Sequence, residues 1–189
     1  AKVNPEVKAY TGQDAKISTT GQVLINANAN PKGKANSTGI NAGGVAVGAS
    51  TAITEITPVI SAAVGRNNTL TADSLTVEAQ LLRQPDRNTG EAVAIAAGGG
   101  LLVGVNATVS KTNLAADVTG SVGQNSKLTV TNAVNVKANA DTKQDSKATA
   151  VAAGYYAAGA NAASASSNNN VTAYFDKDVT INGGKDSYN

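Results

Sequence analysis

The sequence predicts an all-β fold: a parallel β-solenoid, or β-helix, of about 55-residue repeats, elongated and built from thin layers. Three observations predict it. An apolar, glycine-punctuated stretch occurs three times, as TGINAGGVAVGASTAITEI (38–56), TGEAVAIAAGGGLLVGVNATVSKTNLAADVT (89–119) and KATAVAAGYYAAGANAASA (147–165). Apolar and polar residues alternate with a period of two rather than 3.6. Aromatics make up 3% of the 189 residues, with no Trp, Cys, His or Met and one Phe, so a thick globular core has little to fill it. Ala favours helix, but the interleaved Val, Thr, Gly and Asn do not.

Taken in order, each unit opens with a strand and a corner. VKAYTGQDAKI (7–17), ISAAVGRNNTL (60–70), VTGSVGQNSKL (118–128) and VTAYFDKDVTI (171–181) align without a gap. Their first position is Val7, Ile60, Val118 and Val171, and their last is Ile17, Leu70, Leu128 and Ile181. Between these rows lie Ala9, Ala62, Gly120 and Ala173, alternating with variable residues such as Lys8 and Ser61. That is the pattern of a half-buried strand. The corners GQDA, GRNN, GQNS and DKDV carry turn residues that accept left-handed geometry or bond their own backbone. Asp176 stands where the other copies have Gly12, Gly65 and Gly123, so the fourth corner is expected to be reshaped.

A second strand follows: QVLINANA (22–29), SLTVEAQL (74–81) and AVNVKANA (133–140). Its inward rows are Val23, Leu75, Val134, then Ile25, Val77, Val136, then Ala27, Ala79, Ala138. The next stretch, NPKGKANS, RQPDRNTG or DTKQDS, holds proline and charge and reads as a solvent-facing loop. The glycine-rich stretch closes the unit. Gly48, Gly104 and Gly159 lie 56 and 55 residues apart, each with a second glycine five positions earlier: Gly43, Gly99 and Gly154. Glycines in phase imply backbone geometry, either a corner or the tip of a hairpin.

One unit cannot bury its own apolar row, whereas stacked units can. The rows beginning at Val7 and Ile17 then become ladders inside the array, with strands ~4.8 Å apart. The whole chain, 1–189, is read as one array: partial units at 1–4 and 170–189, with full units at about 5–57, 58–113 and 114–169. Beginning and ending within a repeat is expected of a fragment of a longer chain. A unit of this length suits two coils, or one coil with a projecting loop or hairpin; two coils is the favoured reading.

The residues argue against chemistry. With no His and no Cys, most nucleophile–base arrangements are missing, and no catalytic or cofactor-binding residue is assigned. The fifteen basic and thirteen acidic residues are scattered, which lacks the basic patch of a nucleic-acid groove. No apolar run reaches the ~18 residues of a membrane-spanning helix. Asp176 and Asp178 form an Asp-x-Asp pair, a candidate Ca²⁺ ligand set, although a solvated turn is the plainer reading. GGGLLVG (98–104) lacks the Lys-Ser/Thr of a phosphate-binding loop and is read as structural. Tyr10 and Tyr174 share one outward position and could stack on a sugar; plain surface residues are favoured. Tyr155 and Tyr156 replace Gly44–Val45 and Gly100–Leu101 and are expected to repack that layer.

GQDAKISTTGQVLINANA (12–29), together with AGGVAVGAS and GGGLLVGVNA, resembles the recurring unit of filamentous-haemagglutinin-like and leukotoxin-like filamentous adhesins. The resemblance implies a parallel β-solenoid shaft that is secreted or carried on a bacterial cell surface, outside the cell. It implies work in attachment, biofilm cohesion or fibre formation, and it supplies no catalytic residues. Expected partners are other copies, end to end or along a fibre, and host or neighbouring-cell surface glycans or proteins. Two other readings compete. A polysaccharide-binding or -cleaving β-helix would want acids and aromatics along one groove. An ice-binding solenoid would want outward Thr ranks, which do not hold register between units.

Overall fold

The computed structural model describes residues 1–183, and every strand pairing within them is parallel. Strand β1 (Lys2–Val3) leads into the first coil, made of β2 (Glu6–Tyr10), β3 (Lys16–Ser18), β4 (Gln22–Ala29) and β5 (Gly33–Ile56). The second coil repeats this as β6 (Val59–Val64), β7 (Thr69–Ala72), β8 (Ser74–Leu81) and β9 (Gly90–Leu114). The third is β10 (Asp117–Val122), β11 (Lys127–Val130), β12 (Val134–Ala140), β13 (Gln144–Ala153) and β14 (Tyr156–Ser167). A fourth begins with β15 (Asn170–Phe175) and β16 (Thr180–Gly183).

Each strand pairs only with its counterparts one coil away, so four sheets run through the stack: β2-β6-β10-β15, β3-β7-β11-β16, β4-β8-β12, and β1-β5-β9-β13 with β14 also on β9. The chain is therefore a parallel β-solenoid. Val7 pairs with Ile60, Ile60 with Val118 and Val118 with Val171. Ile17, Leu70, Leu128 and Ile181 form the second row in the same way. Ile60, Leu70, Leu75, Val77, Leu81, Val118 and Leu128 are fully buried. Aliphatics of this size contribute roughly 1.5–3 kcal/mol each on burial. We call this aliphatic part the shaft. Three rung spacings of ~4.8 Å make its described part only about 15 Å thick.

The preference for two coils per repeat is corrected: each repeat is one coil with a projection. β5 and β9 are 24 and 25 residues long, and each doubles back on itself. The Ser50 hydroxyl donates to Ser37 Oγ at 2.8 Å, and Thr54 lies beside Gly33 at the base. The outgoing and returning arms do not pair with each other through their backbones; each pairs with the same arm of the neighbouring coil. Three such arches stacked in register form a fin beside the shaft. The stretch read as a solvent loop is accordingly shorter than expected: Gly33–Ser37 and Gln144–Ser146 belong to outgoing arms.

The fin also corrects the phase of the glycines. Gly48 and Gly159 both pair with Asn106, while Gly104 pairs with Ala46 and Ala157. Gly43 pairs with Gly100, and Gly99 with Ala42 and Ala153. The outgoing arms already stack one residue out of phase with the glycines, and the tip adds one more, because Leu101 and Leu102 stand where the first arch has Gly44 alone and the register shifts between Gly43 and Val45. The glycines do sit at the tip, as Gly43–Gly44, Gly99–Gly100 and Gly154. At Gly100 a Cβ would lie 1.8 Å from the Val103 carbonyl oxygen, so no side chain fits.

The corners do hold left-handed residues, as their composition predicts, but not at the glycine position, and the expected reshaping of the Asp176 corner is corrected. The left-handed residues are Asp14, Asn67, Asn125 and Asp178, at φ 58° to 60°, two positions after the corner glycine. Those glycines serve close stacking: a Cβ on Gly65 would lie 2.4 Å from the Gly12 carbonyl oxygen. The Asp176 corner keeps its place in the stack, since its N–H donates to Val122 O at 2.9 Å.

Candidate interaction surface

Two interiors of opposite character lie side by side. The shaft is filled with Ile, Leu and Val, whereas the fin encloses Ala35, Ala52, Ala92 and Ala94 with a file of buried hydroxyls and amides. Small side chains let the two arms approach closely. Their polar groups then need partners, because an unpaired buried donor costs about 1–3 kcal/mol. They find them across the arms. Ser110 Oγ donates to Ala92 O at 2.7 Å and shares a hydrogen bond with Ser146 Oγ. Thr54 donates to Glu91 O at 2.7 Å and Thr112 to Asp145 O at 2.8 Å, each tying one coil to the next. Asn106 accepts from Asn41 at 3.1 Å and donates to Val151 O at 2.6 Å. Gly48 makes room for this amide pair, since a Cβ there would lie within 2.6 Å of both side chains.

On the returning arm the usual burial pattern is inverted. Ala46, Ser50, Ala52 and Thr54 face inward, and Val45, Val47 and Ile53 face water. In the next coil Asn106, Thr108, Ser110 and Thr112 face inward, and Val105 and Val109 outward. Register places Tyr156 in the row of Val45 and Val103, and Ala158 in the row of Val47 and Val105. The outer face is thus a three-stranded sheet of Val, Ala, Thr and Tyr. Leu101, Leu102 and Tyr155 crown the tip, 81%, 60% and 80% exposed. Tyr155 and Tyr156 meet edge to face at 4.9 Å between ring centroids. They stand in solvent at the tip, which corrects the expectation that they repack a layer.

This surface escapes a reading of the sequence because both registers of the alternation are apolar or small. VAVGAST permits either face inside, and the choice of the smaller one follows from how closely the arms must pack. The signal that could have found it is the row of valines opposite Ser, Thr and Asn in VAVGAST and VGVNATVS.

The other candidates fall elsewhere. Asp178 is the left-handed residue of the last described corner, and Asp176 accepts from the Lys177 N–H at 2.8 Å. Among the described residues no group of three acidic side chains is placed to hold a metal ion. Tyr10 and Tyr174 share one row with Ala63 and Ser121 between them, so about 14 Å of rung spacing separates them. Tyr174 instead borders a cleft of about 620 Å³ with Phe175, Glu78 and Lys137, beside the outer edge of β12. The described residues contain no helix long and apolar enough to cross a membrane.

No protein-family model, no curated protein and no solved structure matches this chain.

Proposed function

We propose that this chain is a length of shaft in a filamentous bacterial adhesin, secreted or carried on the cell surface, acting in attachment, biofilm cohesion or fibre formation rather than catalysis. The observation that carries this reading is the unbroken, in-phase stacking of parallel rungs. Val7, Ile60, Val118 and Val171 lie in one file, and the corner residues form another, in which the Asn125 amide donates to Asn67 and the Asn67 amide to the Asp14 carboxylate. A stack of this kind extends by adding coils, each covering the backbone groups of the last. The outer edges of β12 and β4 each have a neighbour on one side only among the described residues, which suits end-to-end pairing of copies. Fibre proteins gain from such a scaffold because its length is set by coil number alone.

A polysaccharide-binding β-helix is the less supported reading. It would use an aromatic row, and the tyrosines in this one are interrupted by Ala63 and Ser121. Antibodies raised against the purified chain test the proposal on the organism that makes it. They are expected to label intact, unpermeabilised cells or fibres shed into the medium. Label that appears only after the cells are permeabilised overturns it.

A further inference from the structure

The geometry points to the outer face of the fin's returning arm as a self-association surface, which packs face to face against the same face of a second copy. The inference stands on the fin alone and holds whether or not the adhesin reading does.

Area is the first argument. Val45, Val47, Ile53, Val105, Val109 and Tyr156 are between 37% and 71% exposed, and the alanines between them are exposed as well. Together this face offers on the order of 800 Å², the per-partner area of a standard protein–protein interface. The largest apolar patch on an ordinary monomer is roughly 300–600 Å².

Shape and charge are the second. From the Val45 row to the Ile53 row the face runs ~26 Å along three strands. No charge enters until Lys111 in the row of Ile53 at the base. The opposite face of the fin exposes Ile40, Ile95 and Val151 toward the tip but differs near the base, where two rows hold Lys34, Glu91, Asp145 and Lys147, with Lys34 Nζ 3.0 Å from Glu91 Oε1. An uncharged sheet face of Val, Ala and Thr suits another sheet packed ~10 Å away. An identical face satisfies this by twofold symmetry, because apolar rows meet apolar rows whichever way the strands cross.

A lipid bilayer is the competing occupant, since Leu101, Leu102 and Tyr155 crown the tip. One feature favours the second copy: the apolar rows continue down the face well beyond the tip, as far as the row of Ile53.

Sedimentation velocity of the purified chain provides the test, alongside Val105→Lys at the centre of the face and Thr38→Lys on the opposite face. The wild type and Thr38→Lys are expected to dimerise at micromolar concentrations. Val105→Lys is expected to raise the dimer Kd at least tenfold with an unchanged far-UV spectrum. Because the chain has no cysteine, Ala107→Cys gives a single thiol on the face and Thr38→Cys one on the other side. A short bismaleimide should join the first into dimers and leave the second monomeric. A wild type that stays monomeric at hundreds of micromolar overturns the inference. So does equal cross-linking from both thiols, or a monomer that floats with neutral phosphatidylcholine vesicles. If Val105→Lys misfolds, the cysteine pair alone decides.

Discussion

At the scale of single residues, the coil corners show how one row can hold two kinds of demand. Left-handed backbone falls on Asp14, Asn67, Asn125 and Asp178, residues that tolerate it and whose side chains can bond. Asn67 donates to Asp14 at 2.9 Å, and Asn125 to Asn67 at 3.2 Å. The glycine two positions earlier serves the stacking distance instead. Just inside the corner, the buried Asn68 accepts from the Ala15 N–H at 2.7 Å and donates to Thr11 Oγ1 at 2.6 Å. Substituting Gly65 by Ala is expected to lower stability by about 1–3 kcal/mol, because the new Cβ meets backbone that cannot move aside. Gly12→Ala, on the first rung with nothing within 4 Å of its Cβ, should change stability by less than about 0.5 kcal/mol. Urea unfolding of the two variants checks the contrast; equal losses would show that conformational freedom, not close approach, selects the glycine.

At the scale of elements, shaft and fin are held by different forces. The shaft depends on aliphatic burial, which is non-directional and tolerates variation in the polar positions between. The fin depends on directional bonds between hydroxyls, amides and carbonyls, with alanines between them. Ser110→Ala removes a donor from Ala92 O and a partner from Ser146. It is expected to destabilise the fin by about 1–2 kcal/mol. Hydrogen exchange should locate the effect: amides of β9 and β13 in the fin exchange faster, while those of β6 and β10 keep their wild-type rates. Uniform acceleration across all four strands would mean that fin and shaft open as one unit.

At the scale of the whole molecule, the solenoid folds because every coil covers the one before it. The continuous core draws on the base of the fin only through residues such as Ile56 and Leu114. The fin is therefore expected to be dispensable for folding. Deleting residues 37–50, 94–108 and 148–161 together, and closing each gap with about four turn residues, should leave a β-rich protein with cooperative thermal unfolding. The melting temperature should fall by no more than a few degrees. A chain that fails to fold would show that the arms nucleate the coils.

The sequence by itself determined the first strands of each coil, the corner between them and the ladders. Period-two alternation and four segments of equal length leave one alignment, and parallel pairing of equivalent segments then places Val7 on Ile60 and Ile17 on Leu70. What the glycine-rich stretch does was decided only in three dimensions. Its side chains are small on both faces, so hydropathy carries no instruction about which face goes inside. The distance between the arms makes that choice, and it puts Ser and Thr within and Val without. The same physics hid the candidate surface: apolar residues in an alternating strand look like core until the space they would fill is seen to be occupied by Asn106 and its neighbours.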